Sequence, residues 1–193
     1  MTNEALTTLL GSTAILFFAG GALVLAPYLQ LEPVAASPGL EPYTANAQRG
    51  RDLYVSLGCV YCHSQQPRDP GQAPDGARSW GRPSVPGDYV YDYPHQLGTM
   101  RTGPDLFNVG ARLASEDWHL VHLYQPRAVV ENSIMPSYPF LFFHVDTPEP
   151  GSRVVSVPPE HVREPGKIVV ASMEALELTE YLLALDHTAP VVE

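Results

Sequence analysis

The pentapeptide Cys59-Val60-Tyr61-Cys62-His63 is the feature that most constrains this chain. Its Cys-x-x-Cys-His spacing is typical of a site where c-type haem is attached. In such a site the two thiols add across the vinyl groups of the haem, and the adjacent imidazole binds the iron. The chain has 2 cysteines, and both lie here. The pattern therefore predicts one covalent haem c, held by Cys59 and Cys62, with His63 as an iron ligand.

Three other interpretations of this pentapeptide stay open on the sequence alone. A zinc site would need further ligands, and the chain has no second cysteine pair. A redox-active dithiol of the thioredoxin kind would sit in a βαβ pattern, which the surrounding residues do not show. The third alternative is a chance occurrence of the five residues.

The balance of charge argues against one class of partner. Lys and Arg total 11 against 21 Asp and Glu, which gives a formal net charge of −10. No nucleic acid is expected as a partner, because its phosphates require a basic surface. A negative surface can steer a basic partner towards the chain, or simply keep a domain soluble outside the cytoplasm. The 20 prolines predict that much of the chain forms turns and extended loops.

An uncharged stretch runs from Ala5 to Leu31, between Glu4 and Glu32. Its apolar part is long enough to cross a hydrocarbon core of about 30 Å as a helix. A cleaved signal peptide is the alternative, with Val34-Ala35-Ala36 as a possible cleavage site. However, no Lys or Arg precedes the stretch, and it exceeds the apolar region of a usual signal peptide, about 7–15 residues. We therefore expect a single retained membrane anchor that contacts lipid.

The rest of the chain predicts a mainly α-helical domain that long proline-rich loops interrupt. Residues 32–46 show no apolar period and predict a linker. Three helices are predicted to begin at a capping residue: from Asn46 to Gly58, from Ser115 to Tyr124, and over 174–186 after Ser172. The irregular segments are 64–103 and 136–172, the latter with possible short strands at 153–157 and 167–170.

A haem that only transfers electrons takes a second axial ligand, and a methionine thioether favours a high redox potential. The chain has four methionines: Met1, Met100, Met135 and Met173. Pro136 follows Met135 and restricts its backbone to extended conformations, which presets the approach of the sulfur. Met1 lies on the wrong side of the membrane, and Met173 is expected to pack in the last helix. We therefore expect Met135 as the ligand and Met100 as the alternative, while a packing role for Met135 stays open.

Two further features belong to the predicted site. The string Gly103-Pro104-Asp105-Leu106 is similar to a Gly-Pro-x-Leu loop of class I cytochromes c. This resemblance implies that the Pro104 carbonyl accepts the ring N–H of His63, which fixes the ring and strengthens its donation to iron. His119 and His122 share a helical face, and we expect them at the surface or at an interface rather than in a metal site.

Several longer strings point to a single family. They are Tyr91-Asp92-Tyr93-Pro94, Arg101-Thr102-Gly103-Pro104-Asp105-Leu106, Val109-Gly110-Ala111-Arg112, Asp117-Trp118-His119 and Met135-Pro136-Ser137-Tyr138-Pro139. Together they resemble the mono-haem c subunit (subunit II) of cbb-type cytochrome c oxidases, the C-family haem–copper oxidases. The resemblance implies a transmembrane anchor at 1–31, a linker at 32–46 and a class I cytochrome c-like domain at 47–193. Gly50 and Tyr54 would lie on a helix that packs against the last one.

The family resemblance implies an electron-transfer subunit of a membrane terminal oxidase. One covalent haem c would take electrons from a c-type cytochrome donor, either a di-haem subunit or a soluble cytochrome c. It would pass them to a b-type haem in the catalytic haem–copper subunit. The residues implied for the cofactor are Cys59, Cys62, His63, Met135, Pro104 and Arg101. Arg101 is expected to pair with a haem propionate, because its planar fork matches a carboxylate.

Haem c is attached outside the cytoplasm, so the haem domain is expected on the periplasmic side of the bacterial inner membrane. Two related functions stay open: the haem c subunit of a nitric oxide reductase, and a free, membrane-tethered cytochrome c that shuttles electrons. An enzyme or gas sensor with an open iron position is a further alternative, and Met135 argues against it. Stable association with a protein that contains b-type haem would exclude the shuttle.

Overall fold

The computed structural model describes residues 2–190, which form two compact units divided between Ala35 and Ala36. The first unit is essentially one helix, α1 (Asn3–Gln30), with a π-helical turn at Gly21–Leu25. Its 28 residues at about 1.5 Å each extend about 42 Å. The helix is therefore long and apolar enough to cross a membrane, although a signal sequence would meet the same criterion.

The core of the second unit is built on two helices, α2 (Ala45–Ser56) and α5 (Met173–Ala184), that pack against each other. Gly50 permits the close approach, because a Cβ at this position would lie 1.9 Å from the carbonyl oxygen of Glu177. Tyr54 of α2 is fully buried in the same core. The packing that the resemblance implied for Gly50 and Tyr54 is therefore present.

Two shorter helices complete the helical part of the core. They are α3 (Val109–Arg112) and α4 (Glu116–Tyr124), and both contact α5. Gly110 lets α3 approach α5 closely, since a Cβ there would lie 2.1 Å from the carbonyl oxygen of Leu183. Ser115 caps α4 by accepting a hydrogen bond from the amide of Trp118, as predicted.

A small antiparallel sheet lies between α4 and α5 along the chain. Its strands are β1 (Phe142–Val145), β2 (Val154–Val155) and β3 (Ile168–Ala171), in the spatial order β1-β3-β2. Phe142 opposes Ala171 in the register of β1 and β3. Helix α5 starts two residues after β3 ends, so the sheet is joined directly to the last helix.

The long segment between α2 and α3 has only short helical turns, as expected for residues 64–103. One buried ion pair holds this segment to α2, and a second closes a turn within the segment. Arg51 of α2 donates from Nε to Asp92 at 2.7 Å, and Arg82 donates from Nη2 to Asp88 at 2.7 Å. Both carboxylates are buried, so losing either cation would leave an uncompensated charge in the interior.

The structure corrects three predictions made from the sequence. Thr44, not Asn46, caps α2, because the Thr44 side chain accepts from the Ala47 amide. The predicted linker 32–46 contains the division between the units, and its second half belongs to the globular unit, where Ser37 is buried. Met173 is 64% exposed and does not pack, since it occupies the outward-facing first position of α5.

Candidate functional site

The pentapeptide forms a tight turn that follows α2. Gly58 has a φ of 73°, a left-handed conformation that favours glycine, and it starts a 3₁₀ turn over Cys59–Tyr61. The amide of His63 donates to the carbonyl of Cys59 at 2.9 Å, which closes the turn. This local geometry directs Cys59, Cys62 and His63 to the wall of one cavity.

The ring of His63 is held by the loop that contains Pro104. Nδ1 of His63 lies 2.7 Å from the carbonyl oxygen of Pro104, and since a carbonyl only accepts, Nδ1 carries the proton. Nε2 is therefore the nitrogen left for a metal. The hydrogen bond that the Gly-Pro-x-Leu resemblance implied is present. A Cβ on Gly103 would lie 2.3 Å from Cε1 of His63, so only glycine lets the loop approach the ring this closely.

Burial lowers the pKa of His63, although the Pro104 carbonyl and the nearby carboxylate of Asp105 oppose this effect. The ring is therefore neutral at pH 7. Neutral imidazole is the form that binds a metal ion, so the ring needs no further change to act as a ligand.

The cavity has a volume of about 550 Å³, within the range of about 300–1,000 Å³ that is usual for ligand pockets. Its wall is mainly apolar and comes from α2, α3, α4, α5 and the loops between them. Met135 and Pro136 line it together with the pentapeptide. Met100 is 50% exposed and is not part of the wall. The structure thus brings together two thiols, an imidazole and a thioether, the donor set of a c-type haem.

Two polar atoms in the wall are buried without a partner among residues 2–190. They are Nε of Arg112 and Nδ1 of His122. Buried polar atoms are normally hydrogen-bonded, so these two indicate a polar group that belongs in the cavity. Haem carries two propionate carboxylates, which are suitable acceptors for both. The residues present therefore fit a haem in their donor set, their space and their unpaired polar atoms.

The prediction that His119 and His122 lie at the surface or at an interface is wrong for His119, which is buried, whereas His122 is half-buried. Both line the cavity, and His119 donates from Nε2 to the carbonyl of Leu113 at 2.8 Å. Burial, with a smaller contribution from the other two histidines nearby, lowers the pKa of His122 to about 4, so its ring is neutral at pH 7. The ring of Trp118 stacks on that of His122, with centroids 4.6 Å apart. The sequence showed that His119 and His122 share one side of α4, but it did not show that this side faces the core.

The thiols do not resemble a redox dithiol or a zinc site. Burial raises the pKa of Cys59 to about 11, whereas a reactive dithiol needs a lowered pKa. Among residues 2–190, no three His, Cys, Asp or Glu side chains are grouped so as to hold a metal ion. These two observations argue against the redox-dithiol and zinc interpretations.

Arg101 lies beside the site rather than in its wall. It donates from Nη2 to Asp75 at 2.8 Å and also to the hydroxyl of Ser64. Its Nε is buried and has no partner within the described part of the chain. The pairing of Arg101 with a haem propionate stays a prediction. Arg112 and His122 line the cavity and were not predicted as cofactor-binding residues.

No curated protein matches the chain significantly. The family model described as "Cytochrome C oxidase, mono-heme subunit/FixO" matches residues 1–154. This range includes the Cys-x-x-Cys-His turn, the loop of Pro104, and Met135. Because the match covers more than half of the 193 residues, the chain belongs to the FixO family of mono-haem cytochrome c oxidase subunits.

Proposed function

We propose that this oxidase subunit binds one haem c covalently through Cys59 and Cys62, with His63 and Met135 as the two iron ligands. The observation that carries the proposal is the single cavity of about 550 Å³ whose wall contains all four side chains. Bound there, the haem would supply one-electron redox chemistry, its iron alternating between the ferrous and ferric states.

Several other residues of the cavity wall each have a separate part in holding the cofactor. Pro104 accepts the hydrogen bond that orients His63 and increases its donor strength. The guanidinium of Arg112, whose Nε is buried, supplies positive charge for a haem propionate, and His122 offers a neutral ring nitrogen from the same wall. Apolar residues of the wall such as Leu123 and Leu178 would exclude water from the rest of the haem surface.

The mouth of the cavity supports a role in electron transfer between proteins. Ile134 and Val130 line the cavity and are exposed, 74% and 42% respectively. A redox partner can therefore approach the cofactor across an apolar rim without unfolding the domain. We assign the donor as a c-type cytochrome and the acceptor as a b-type haem in the catalytic haem–copper subunit. With α1 in the inner membrane, the haem domain would lie on the periplasmic side.

A difference spectrum of the native complex tests the proposal. The complex would be extracted in detergent, and its reduced-minus-oxidised spectrum and pyridine haemochrome measured. The expected result is one c-type haem per chain together with b-type haem, and oxidation of both when oxygen is added. Oxidation by nitric oxide but not by oxygen would show a reductase subunit. A c-type haem in a small protein that runs alone would instead show a tethered carrier.

A further inference from the structure

The carboxylate of Asp105 lies buried next to the contact between His63 and Pro104. Asp105 directly follows Pro104 and has no exposed surface. Its Oδ2 accepts from the hydroxyl of Ser64 and from the amide of Gln66, both at 2.8 Å. Its Oδ1 accepts from the amide of Phe107 at 2.9 Å. Burial raises the pKa of Asp105, but every group that contacts the carboxylate is a donor, which favours the ionised form.

These contacts fasten the segment that carries His63 to the segment that carries Pro104. Backbone hydrogen bonds join the two segments on either side of the ring, from Gly103 to Cys62 at 2.8 Å and from Leu106 to Ser64 at 2.9 Å. The carboxylate of Asp105 adds two more hydrogen bonds between these segments, because it accepts from Ser64 and Gln66, which follow His63. The position of the Pro104 carbonyl therefore depends on Asp105.

Asp105 also belongs to a chain of alternating charges that begins in the interior and ends at the part-exposed Arg68. Nη1 of Arg101 lies 3.7 Å from Oδ2 of Asp105, and Nη2 of the same guanidinium donates to Asp75 at 2.8 Å. Asp75, also without exposed surface, is paired in turn with Arg68 at 3.1 Å. Arg68 is part-exposed, but the two carboxylates have no exposed surface and the Arg101 side chain is only 13% exposed, so little solvent screens the field of these three groups at the neighbouring site.

We propose that Asp105 is a positioning residue that lowers the redox potential of the haem, and that Arg101 opposes it. This inference rests on the proposed function, because it requires a haem iron bound to His63. A buried negative charge stabilises ferric iron relative to ferrous iron. The hydrogen bond from His63 to Pro104, which Asp105 holds in place, also favours the ferric state because it strengthens the imidazole as a donor. Arg101 carries the opposite charge, so it raises the potential.

The test is a redox titration of the purified full-length holoprotein and three variants. Asp105→Asn is expected to shift the potential upwards, and Arg101→Gln is expected to shift it downwards. The double variant loses one charge of each sign, so its potential should return towards that of the parent. A merely loosened site would admit water, which lowers the potential in all three variants, with the largest fall in the double variant.

A pyridine haemochrome assay on each sample separates this inference from the proposed function. A parent protein without covalent haem would overturn both. If the parent holds haem but Asp105→Asn lowers the potential or leaves it unchanged, only the inference fails. If Asp105→Asn does not accumulate as holoprotein, Asp75→Asn takes its place, with a smaller upward shift expected because Asp75 lies farther along the chain of charges. A downward or absent shift in Asp75→Asn would then overturn the inference.

Discussion

At the scale of single residues, Met135 is the ligand assignment that a substitution tests most directly. We predict that Met135→Ala keeps the haem attached, because Cys59 and Cys62 remain, but lowers its redox potential, because the thioether that favours ferrous iron is gone. The measurement is a redox titration with an absorption spectrum, in which the long-wavelength band of methionine-ligated ferric haem should disappear. Met100→Ala is the matched control, since Met100 is half-exposed and outside the cavity wall. An unchanged spectrum in Met135→Ala would show that another residue binds the iron.

Gly103 permits the closest approach in the site, and its substitution tests the contact between His63 and Pro104. The added methyl group of Gly103→Ala would lie 2.3 Å from the His63 ring, so either the ring or the loop must move. We predict a reduced yield of holoprotein, measured as covalent haem per chain. Gly98→Ala is the control, because its methyl group would meet only Ser64 at an ordinary 3.9 Å. Equal haem content in the two variants would contradict the prediction.

The chemistry-bearing residues of the site could be predicted from the sequence because their spacing is local. Cys59, Cys62 and His63 occupy one turn, and Met135 is marked by the proline that follows it. Arg112 and His122 were missed as site residues for a physical reason. Their roles depend on which side of α3 and α4 faces the cavity, and that side is decided by packing against α5 rather than by local sequence.

At the scale of elements, the packing of α2 on α5 is the contact that supports the site. A methyl group in Gly50→Ala would lie 1.9 Å from the Glu177 carbonyl oxygen, a backbone atom that cannot rotate away. The helices must separate, and we expect the free energy of unfolding to fall by about 3 kcal/mol or more, at the upper end of overpacking costs. Denaturant unfolding followed by circular dichroism measures this change. Gln48→Ala, exposed on the same helix, should change it by less than about 0.5 kcal/mol. Similar free energies of unfolding for both variants would contradict the importance of the contact between α2 and α5 at Gly50.

Helix α5 and most of the sheet could be found from local patterns, whereas β1 could not. Ser172 signalled the start of α5, and runs of β-branched residues signalled β2 and β3. The four residues of β1 do not alternate clearly between buried and exposed side chains: Phe142 is buried, Phe143 is exposed, and the other two are half-buried. This strand exists because it pairs with β3, some 25 residues further along the chain, and single-sequence patterns do not report such pairing.

At the scale of the whole molecule, the segment beyond the family match still supports the site. The match ends at residue 154, yet α5 lies after it and provides the main packing surface for α2. Two tyrosines connect this core to the Cys-x-x-Cys-His turn. Tyr54 donates to the carbonyl of His63 at 2.9 Å, and Tyr181 of α5 accepts from the side chain of Gln65 at 3.0 Å. The fold therefore connects the Cys-x-x-Cys-His turn to residues on both sides of residue 154, where the family match ends.

The retention of α1 is the remaining prediction for the whole chain. Every α1 side chain is exposed or half-exposed in its own unit, so the apolar ones are free to be buried in lipid. We expect the purified protein to keep the helix, and intact mass spectrometry should give a mass that includes the residues of α1. Phe17→Arg should weaken membrane insertion, because a central arginine costs about 2.5–3.5 kcal/mol, whereas Phe17→Leu should not. Recovery of the haem domain in the alkaline-washed membrane fraction measures this difference. A mature chain that begins at Ser37 would show instead that the segment is a cleaved signal peptide, and the domain would then need its partner subunits to stay at the membrane.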